Sequence, residues 1–147
     1  MDYDRIRSAM QRKLIEDGAD RAWVEARPPI VVVSCDDPFI DQIRQALIDH
    51  DVQPIIYCGS NHAYELICRV QPALVLLDRW LEHPHAGEMI LGLMHVDPAT
   101  RTIPVVMCTT DAQFARDRGA TLQSRGCDVL IKPVDPHELV STIARLT

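Results

Sequence analysis

Four polar side chains of this sequence each follow a different short apolar run. They are Asp36, Asp78, Thr109 and Lys132. Carboxylate oxygens hold a hard divalent ion such as Mg²⁺, which prefers one or two carboxylates together with waters and phosphate oxygens. A carboxylate can also attack a phosphoryl group as a nucleophile. A lysine and a hydroxyl can then hold the oxygens of the acyl phosphate that forms.

An aspartate or threonine that follows a strand is most often a turn residue or a helix cap. We prefer this interpretation for Asp37 and Thr110. For each of the four candidates taken alone, it explains the residue as well as a functional role does. The prediction of a phosphoryl-transfer site therefore depends on all four lying at the ends of four different strands.

The apolar runs have the length expected of strands rather than helices. They are nearly continuous instead of alternating, which is typical of parallel strands covered on both faces. The five runs are Ile30–Val33, Pro54–Cys58, Ala73–Leu77, Ile103–Cys108 and Val129–Ile131.

The stretches between these runs carry apolar residues at helical spacing. The first is introduced by Asp37-Pro38, a cap followed by a first-turn proline, and the last by Asp135 with Glu138 at capping-box spacing. The stretch of residues 111–125 has few apolar positions and contains Gly119, so we predict a short or mobile helix there. The alternation predicts a doubly wound α/β fold whose strand carboxyl ends share one edge.

The first 27 residues differ from the rest of the chain. Ile6, Met10 and Leu14 form a narrow apolar stripe, and prolines follow Arg27. We predict a helical extension over residues 1–27 and a separate domain over residues 28–147.

Composition excludes several classes of protein. Apolar residues make up 47% and charged residues 24%, as in ordinary globular domains. Residues 1–27 hold six charges of each sign, so the net charge of −6 comes from residues 28–147, with 15 acidic and 9 basic side chains. An acidic domain repels the phosphate backbone of nucleic acids, so we predict no direct nucleic-acid binding. No apolar run approaches the length of a membrane span, and the amino terminus is charged from Asp2 onward, so we predict a cytoplasmic protein.

The five cysteines include no CxxC pair. Cys35 and Cys58 end neighbouring predicted strands and could form a redox pair. Neither has an activating cation nearby in sequence, which favours buried, inert thiols.

Four segments together resemble the receiver domains of two-component response regulators (CheY-like) over about residues 30–147: IVVVSCDDPFI, PALVLLDRWLEHPHAG, IPVVMCTTD and VLIKPVDPHEL. The resemblance implies a flavodoxin-like, five-stranded parallel sheet of order 2-1-3-4-5. It also implies that Asp78 is the phosphoacceptor, with Thr109 as the switch residue and Lys132 paired to the phosphate. Asp36, Asp78 and the backbone carbonyl of Trp80 would hold Mg²⁺.

The chain departs from the family's pattern at two positions of the site. Cys35 stands where the family has the first of two acidic residues, which predicts weak Mg²⁺ binding. Val129 stands three residues before Lys132, where the family often has an aromatic side chain.

The resemblance implies a single-domain response regulator rather than an enzyme. It would take its phosphoryl group from a sensor histidine kinase or phosphotransfer protein in a phosphorelay, signal to an unknown output protein, and could form a homodimer. A pseudo-receiver, acting as a phosphorylation-independent interaction module, is the alternative that Cys35 favours. A nucleotide- or flavin-binding enzyme would need a glycine-rich turn after the first strand, which instead is followed by Cys35-Asp36-Asp37. An aspartate-nucleophile phosphatase would need a DxD motif at the end of a strand, and none of the five predicted strands ends in one.

Overall fold

The computed structural model describes residues 29–147, which form a five-stranded sheet covered by helices on both faces. The predicted extension over residues 1–27 lies outside the described residues. Every strand pair is parallel and the strand order is β2-β1-β3-β4-β5, which confirms the doubly wound fold. The strands are β1 Ile30–Val33, β2 Pro54–Tyr57, β3 Leu74–Asp78, β4 Val105–Thr109 and β5 Cys127–Ile131.

The central strands are apolar throughout because both of their faces are buried. Every residue of β1, β3 and β4 is buried. The register pairs Val33 with both Tyr57 and Leu77, and Asp78 with Cys108. The carboxyl ends of β1, β3 and β4 therefore meet at one edge of the sheet.

In the part of the chain that the structure describes, five helices cover the sheet in two layers. Apolar residues of the first and last helices pack on one face, and those of the other three pack on the opposite face. The helices are α1 Asp37–Asp49, α2 Ala63–Val70, α3 Ala86–Val96, α4 Ala112–Gln123 and α5 Pro136–Leu146.

Two predictions about the helices were wrong, namely that Asp37 caps the first helix and that the fourth helix is short. Asp36, not Asp37, caps α1, since its Oδ1 accepts a hydrogen bond from the backbone N–H of Phe39 at 3.3 Å. Helix α4 is not short, because it runs over 12 residues. Its Asp111 cap accepts from the N–H of Phe114 at 3.0 Å, and the buried Phe114 and Leu122 hold the helix on the sheet. Two buried apolar side chains are thus enough to pack α4 on the sheet, although its sequence lacks a continuous apolar stripe.

The start of α3 crosses the end of β3 at a glycine. A Cβ atom on Gly87 would lie 2.4 Å from the carbonyl oxygen of Asp78 and 2.7 Å from the Cα of Arg79. The backbone N–H of Gly87 also donates to the carbonyl of Arg79 at 3.0 Å. Only a residue without a side chain permits this approach.

We expect Gly87→Ala to lower the free energy of unfolding by about 1–3 kcal/mol, since the new methyl group must displace backbone. Urea denaturation would measure the change. Gly92→Ala, on the same helix, is the matched control: its Cβ would meet no atom within 4 Å. This second variant should gain up to about 1 kcal/mol from helix propensity. Equal effects of the two substitutions would show that the contact at Gly87 is easily relieved.

Candidate functional site

A pocket of about 390 Å³ opens at the carboxyl edge of the sheet. It is lined by all five residues predicted to form the site, together with Cys35. The five are Asp36, Asp78, Trp80, Thr109 and Lys132. Each comes from the end of a strand or the loop that follows it. Parallel pairing thus brings together residues that are far apart along the chain.

The ammonium group of Lys132 lies between the two carboxylates of the pocket. Its Nζ donates to Oδ2 of Asp78 at 2.7 Å and to Oδ2 of Asp36 at 2.9 Å. Asp78 is only 3% exposed. Burial opposes the charge on Lys132, but the hydrogen bonds to the two carboxylates outweigh it and hold the pKa of this lysine above its ordinary value. The hydrogen bond from Lys132 lowers the pKa of Asp36.

Ser34 is a residue of the site that we did not predict. It is fully buried at the end of β1, and its hydroxyl donates to Oδ2 of Asp78 at 3.0 Å. The same Oγ accepts from the backbone N–H of Asp36 at 3.1 Å. Among residues 29–147, Oδ2 of Asp78 therefore has two donors, whereas Oδ1 accepts one longer hydrogen bond, of 3.3 Å, from the N–H of Trp80. The sequence feature that could have identified Ser34 is its position directly after the four apolar residues Ile30–Val33.

Thr109 is buried at the end of β4. Its Oγ1 accepts from the backbone N–H of Asp111 at 3.0 Å, which stabilises the turn before α4. Its carbonyl accepts from the N–H of Lys132 at 2.8 Å, and the peptide bond between Lys132 and Pro133 is cis. The threonine and the lysine are thereby held on adjacent strand ends.

Several proteins with known names or solved structures are similar to this chain in sequence or in fold. No protein-family model matches the chain. It is 31% identical over 114 residues to the phosphate regulon transcriptional regulatory protein PhoB of Klebsiella pneumoniae, covering 78% of this chain and 49% of that one. This chain therefore spans about half the length of that relative.

Solved structures agree with this relationship. The N-terminal domain of a response regulator receiver protein from Methanoculleus marisnigri is 31% identical, with a TM-score of 0.59 over 80% of this chain and 94% of that one. The chemotaxis response regulator CheY4 of Vibrio cholerae has a TM-score of 0.69 over 82% and 99% of the two chains, with 15% identity. The chain belongs to the receiver-domain family of response regulators.

Receiver domains are phosphoryl-accepting modules of two-component signalling rather than classical enzymes, and they generally bind Mg²⁺. They interact with histidine kinases or phosphotransfer proteins. Within residues 29–147, no helix has the length and apolar character needed to span a membrane.

The donors of this receiver's pocket are suited to Mg²⁺. Asp36 and Asp78 supply two carboxylates to the pocket, and Trp80, whose backbone carbonyl is the third predicted ligand, also lines it. With Lys132 between the carboxylates, the formal charge of these side chains is −1, which favours a cation. Among the described residues, no group of three or more His, Cys, Asp or Glu side chains is placed to hold a metal. Two carboxylates and a carbonyl fit an ion that keeps several of its waters, as Mg²⁺ does.

Arg79 is a second residue of the pocket that we did not predict. Its Nε donates to Oε1 of Glu88 at 2.8 Å and an Nη donates to Oδ2 of Asp111 at 3.2 Å. Its guanidinium also lies 3.9 Å from the centre of the Phe114 ring. The residue directly after Asp78 thus links the loop beyond β3 to both α3 and α4.

The prediction for the two rim cysteines was wrong. Cys35 and Cys58 form a disulfide, with their Cα atoms 4.6 Å apart, and Cys58 is exposed. Charges nearby in sequence say nothing of spatial neighbours, whereas pairing of β1 with β2 brings the two side chains together. Within residues 29–147 the free thiols are Cys68, Cys108 and Cys127. Burial raises the pKa of both Cys108 and Cys127 to about 12, so these two are unreactive.

Proposed function

We propose that this receiver domain accepts a phosphoryl group on Asp78 from a sensor histidine kinase or phosphotransfer protein in a phosphorelay. The observation that supports it best is the position of the Lys132 ammonium, within 3 Å of carboxylate oxygens of both Asp78 and Asp36. A cation held there can neutralise the charge of an incoming phosphoryl group while leaving one oxygen of Asp78 weakly bonded.

In the proposed step, Oδ1 of Asp78 attacks the phosphorus of the donor's phosphohistidine. The new phosphorus–oxygen bond forms as the phosphorus–nitrogen bond breaks, and the imidazole leaves with the electron pair. Oδ1 is our candidate because Ser34 and Lys132 already hold Oδ2. Their two bonds orient the carboxylate before the donor arrives, which lowers the entropic barrier to transfer.

After transfer, Lys132 and the hydroxyl of Thr109 would hold oxygens of the bound phosphoryl group. Mg²⁺ held by Asp36, Asp78 and the carbonyl of Trp80 would supply further neutralisation of the phosphoryl charge. Movement of Thr109 towards the phosphoryl group would loosen its bond to the N–H of Asp111. Since Asp111 caps α4 and bonds Arg79, phosphorylation would alter that side of the domain.

Incubation with acetyl phosphate and Mg²⁺, followed by intact-mass measurement, tests this function. We expect a gain of about 80 Da, which corresponds to one phosphoryl group. Chelation of Mg²⁺ with EDTA should prevent the gain. Absence of labelling at every Mg²⁺ concentration would overturn the proposal and favour the pseudo-receiver.

The pseudo-receiver remains the second candidate because Cys35 supplies no carboxylate oxygen and its sulfur is bonded to Cys58. In either case the domain acts through an output protein whose identity is unknown, in the cytoplasm and without direct contact to nucleic acid. The division into an extension over residues 1–27 and a receiver over residues 28–147, and the homodimer, belong to this proposal as well.

We also propose that the loss of the acidic residue at position 35 makes Mg²⁺ binding weak. In Cys35→Asp a third carboxylate would support water around the ion. Loss of a group that orders the water around a metal ion typically weakens metal affinity about 10–100-fold. We therefore expect the restored carboxylate to tighten Mg²⁺ binding by a factor in that range. Calorimetric titration of Mg²⁺ would measure it.

Cys35→Asn is the matched control, since it also lacks the disulfide and differs from Cys35→Asp only in charge and one donor group. Comparison of these two variants separates the carboxylate from the loss of the bridge. If both bind Mg²⁺ equally, a carboxylate at position 35 contributes nothing to metal affinity.

A further inference from the structure

The disulfide lies on the rim of the pocket, next to a candidate metal ligand. Cys35 lines the pocket and directly precedes Asp36. Its partner Cys58 follows β2 and is exposed to solvent. A covalent bond that outside thiols can reach is therefore one residue away from the group that would hold Mg²⁺.

The backbone at Cys35 lies outside regular secondary structure. Strand β1 ends at Val33, and α1 begins at Asp37. In this segment the N–H of Asp36 donates to the Ser34 hydroxyl at 3.1 Å. The bridge is the covalent tie between this short segment and the neighbouring strand.

The segment that holds Cys58 is itself fixed to the loop after Asp78. The backbone N–H of Ser60 donates to Oε1 of Glu82 at 2.6 Å, and its hydroxyl donates to Oε2 at 2.7 Å. The hydroxyl's hydrogen bond lowers the pKa of Glu82. Glu82 lies two residues after Trp80, whose carbonyl is a candidate metal ligand. Through residues 58–60, the bridge connects the two loops that would supply Mg²⁺ ligands.

We propose that the Cys35–Cys58 bridge is a reversible redox site that regulates the phosphoryl-accepting pocket, with tighter Mg²⁺ binding in the oxidised form. This inference rests on the proposed function, whose Mg²⁺ site it controls. The bridge holds Asp36 near its binding position before the ion arrives, so less conformational freedom is lost on binding. Reduction leaves a thiol in the pocket, but Mg²⁺ does not take soft sulfur ligands. The change in Mg²⁺ affinity on reduction therefore comes from the greater conformational freedom of the segment that holds Cys35 and Asp36.

The reaction is thiol–disulfide exchange with a dithiol reductant. A thiolate of the reductant attacks Sγ of Cys58, an exposed residue, and the bond to Cys35 breaks, leaving a Cys35 thiolate that takes up a proton. The second thiol of the reductant then attacks the mixed disulfide and releases Cys58 as a thiol. Overall, two electrons and two protons pass to the protein, and the reductant leaves as a disulfide. In the cytoplasmic location proposed above, such bridges are usually transient or redox-sensing.

Coupling between two sites is reciprocal. If oxidation tightens Mg²⁺ binding about fivefold, at the lower end of common coupling factors, then Mg²⁺ must make the bridge harder to reduce by the same factor. A fivefold change in this two-electron equilibrium corresponds to about 20 mV. The two effects can be measured by independent methods.

The test uses the full chain in oxidised and dithiothreitol-reduced forms, titrated with Mg²⁺ in a calorimeter. We expect the oxidised wild type to bind about fivefold more tightly than the reduced form. Cys58→Ser should bind as weakly as the reduced wild type under both conditions, because it leaves Cys35 in place without the bridge. Cys68→Ser, which removes a free cysteine on α2, should keep the full redox dependence.

Thiol trapping in glutathione buffers, read by mass spectrometry, gives the second measurement. Saturating Mg²⁺ should shift the midpoint so that more of the protein stays oxidised. Equal Mg²⁺ affinities of the oxidised and reduced wild type would overturn the inference. A redox midpoint that does not change with Mg²⁺ would overturn it as well. Neither measurement involves phosphorylation, so a domain that shows this coupling but is never labelled would contradict the proposed function alone. Labelling without coupling would contradict the redox role alone.

Discussion

Asp78→Asn is expected to abolish the phosphoryl mass gain that the wild type shows with acetyl phosphate and Mg²⁺. An amide is a poor nucleophile, and it also removes one of the two carboxylates that would hold the ion. The amide oxygen can still accept from Ser34, and Lys132 keeps Asp36 as a partner. The fold should therefore survive, which a circular dichroism melting curve would check.

Asp37→Asn is the matched control, because it makes the same chemical change at an exposed position beside the pocket. This variant should be labelled to the same extent as the wild type. Full labelling of Asp78→Asn would move the phosphoacceptor to another carboxylate. Peptide mapping of the labelled protein would then identify the residue.

Lys132→Met is expected to have the second large effect, on both stability and phosphorylation. In the wild type the Lys132 ammonium lies 4.3 Å from the centre of the Phe39 ring. Methionine keeps an unbranched apolar side chain near that ring. It leaves Asp36 and the buried Asp78 close together without their shared cation. Removing one partner of a buried ion pair typically costs about 3–5 kcal/mol. Because the Asp36 side chain is 41% exposed, we expect about 2–4 kcal/mol without Mg²⁺.

Mg²⁺ should stabilise Lys132→Met more than it stabilises the wild type, since the ion takes the place of the lost ammonium between the carboxylates. Urea denaturation with and without Mg²⁺ would measure this difference. Arg101→Met, which removes an exposed cation from the loop before β4, should show neither effect. A variant as stable as the wild type in EDTA would mean that Lys132 does not compensate these carboxylates.

The stability difference between wild type and Lys132→Met should also depend on pH. The pKa of Asp36 is lowered by Lys132, so its contribution is present above the ordinary aspartate pKa and is lost as the pH falls through the lowered value. We therefore expect the difference to shrink below about pH 4. A difference that stayed constant down to pH 2 would contradict the ion pair.

Part of the candidate site could be predicted because some of its residues have a local signature. A parallel strand buried on both faces must be continuously apolar, so Asp78 and Lys132 are conspicuous where their runs end. The strand order, by contrast, came from the family resemblance and not from the runs themselves. The resemblance also supplied the role of Trp80, whose side chain has no signature of metal binding.

Contacts between distant strands could not be predicted in this way. Ser34 bonds Asp78 across 44 residues, Lys132 bonds Asp36 across 96, and Cys35 is joined to Cys58 across 23. Such pairs depend on the register between strands, which no single apolar run specifies. A buried serine after β1 and an exposed cysteine after β2 have ordinary local explanations until the strands are paired.

The sequence by itself determined the fold class, the strands and the polar residues at their carboxyl ends, because burial on both faces leaves a continuous apolar pattern along the chain. Only the tertiary structure decided how those ends combine. It placed Ser34 and Lys132 on the same oxygen of Asp78, made Asp36 both a helix cap and a partner of Lys132, and joined Cys35 to Cys58. The physical reason is that strand pairing, rather than local preference, sets the distances between these side chains.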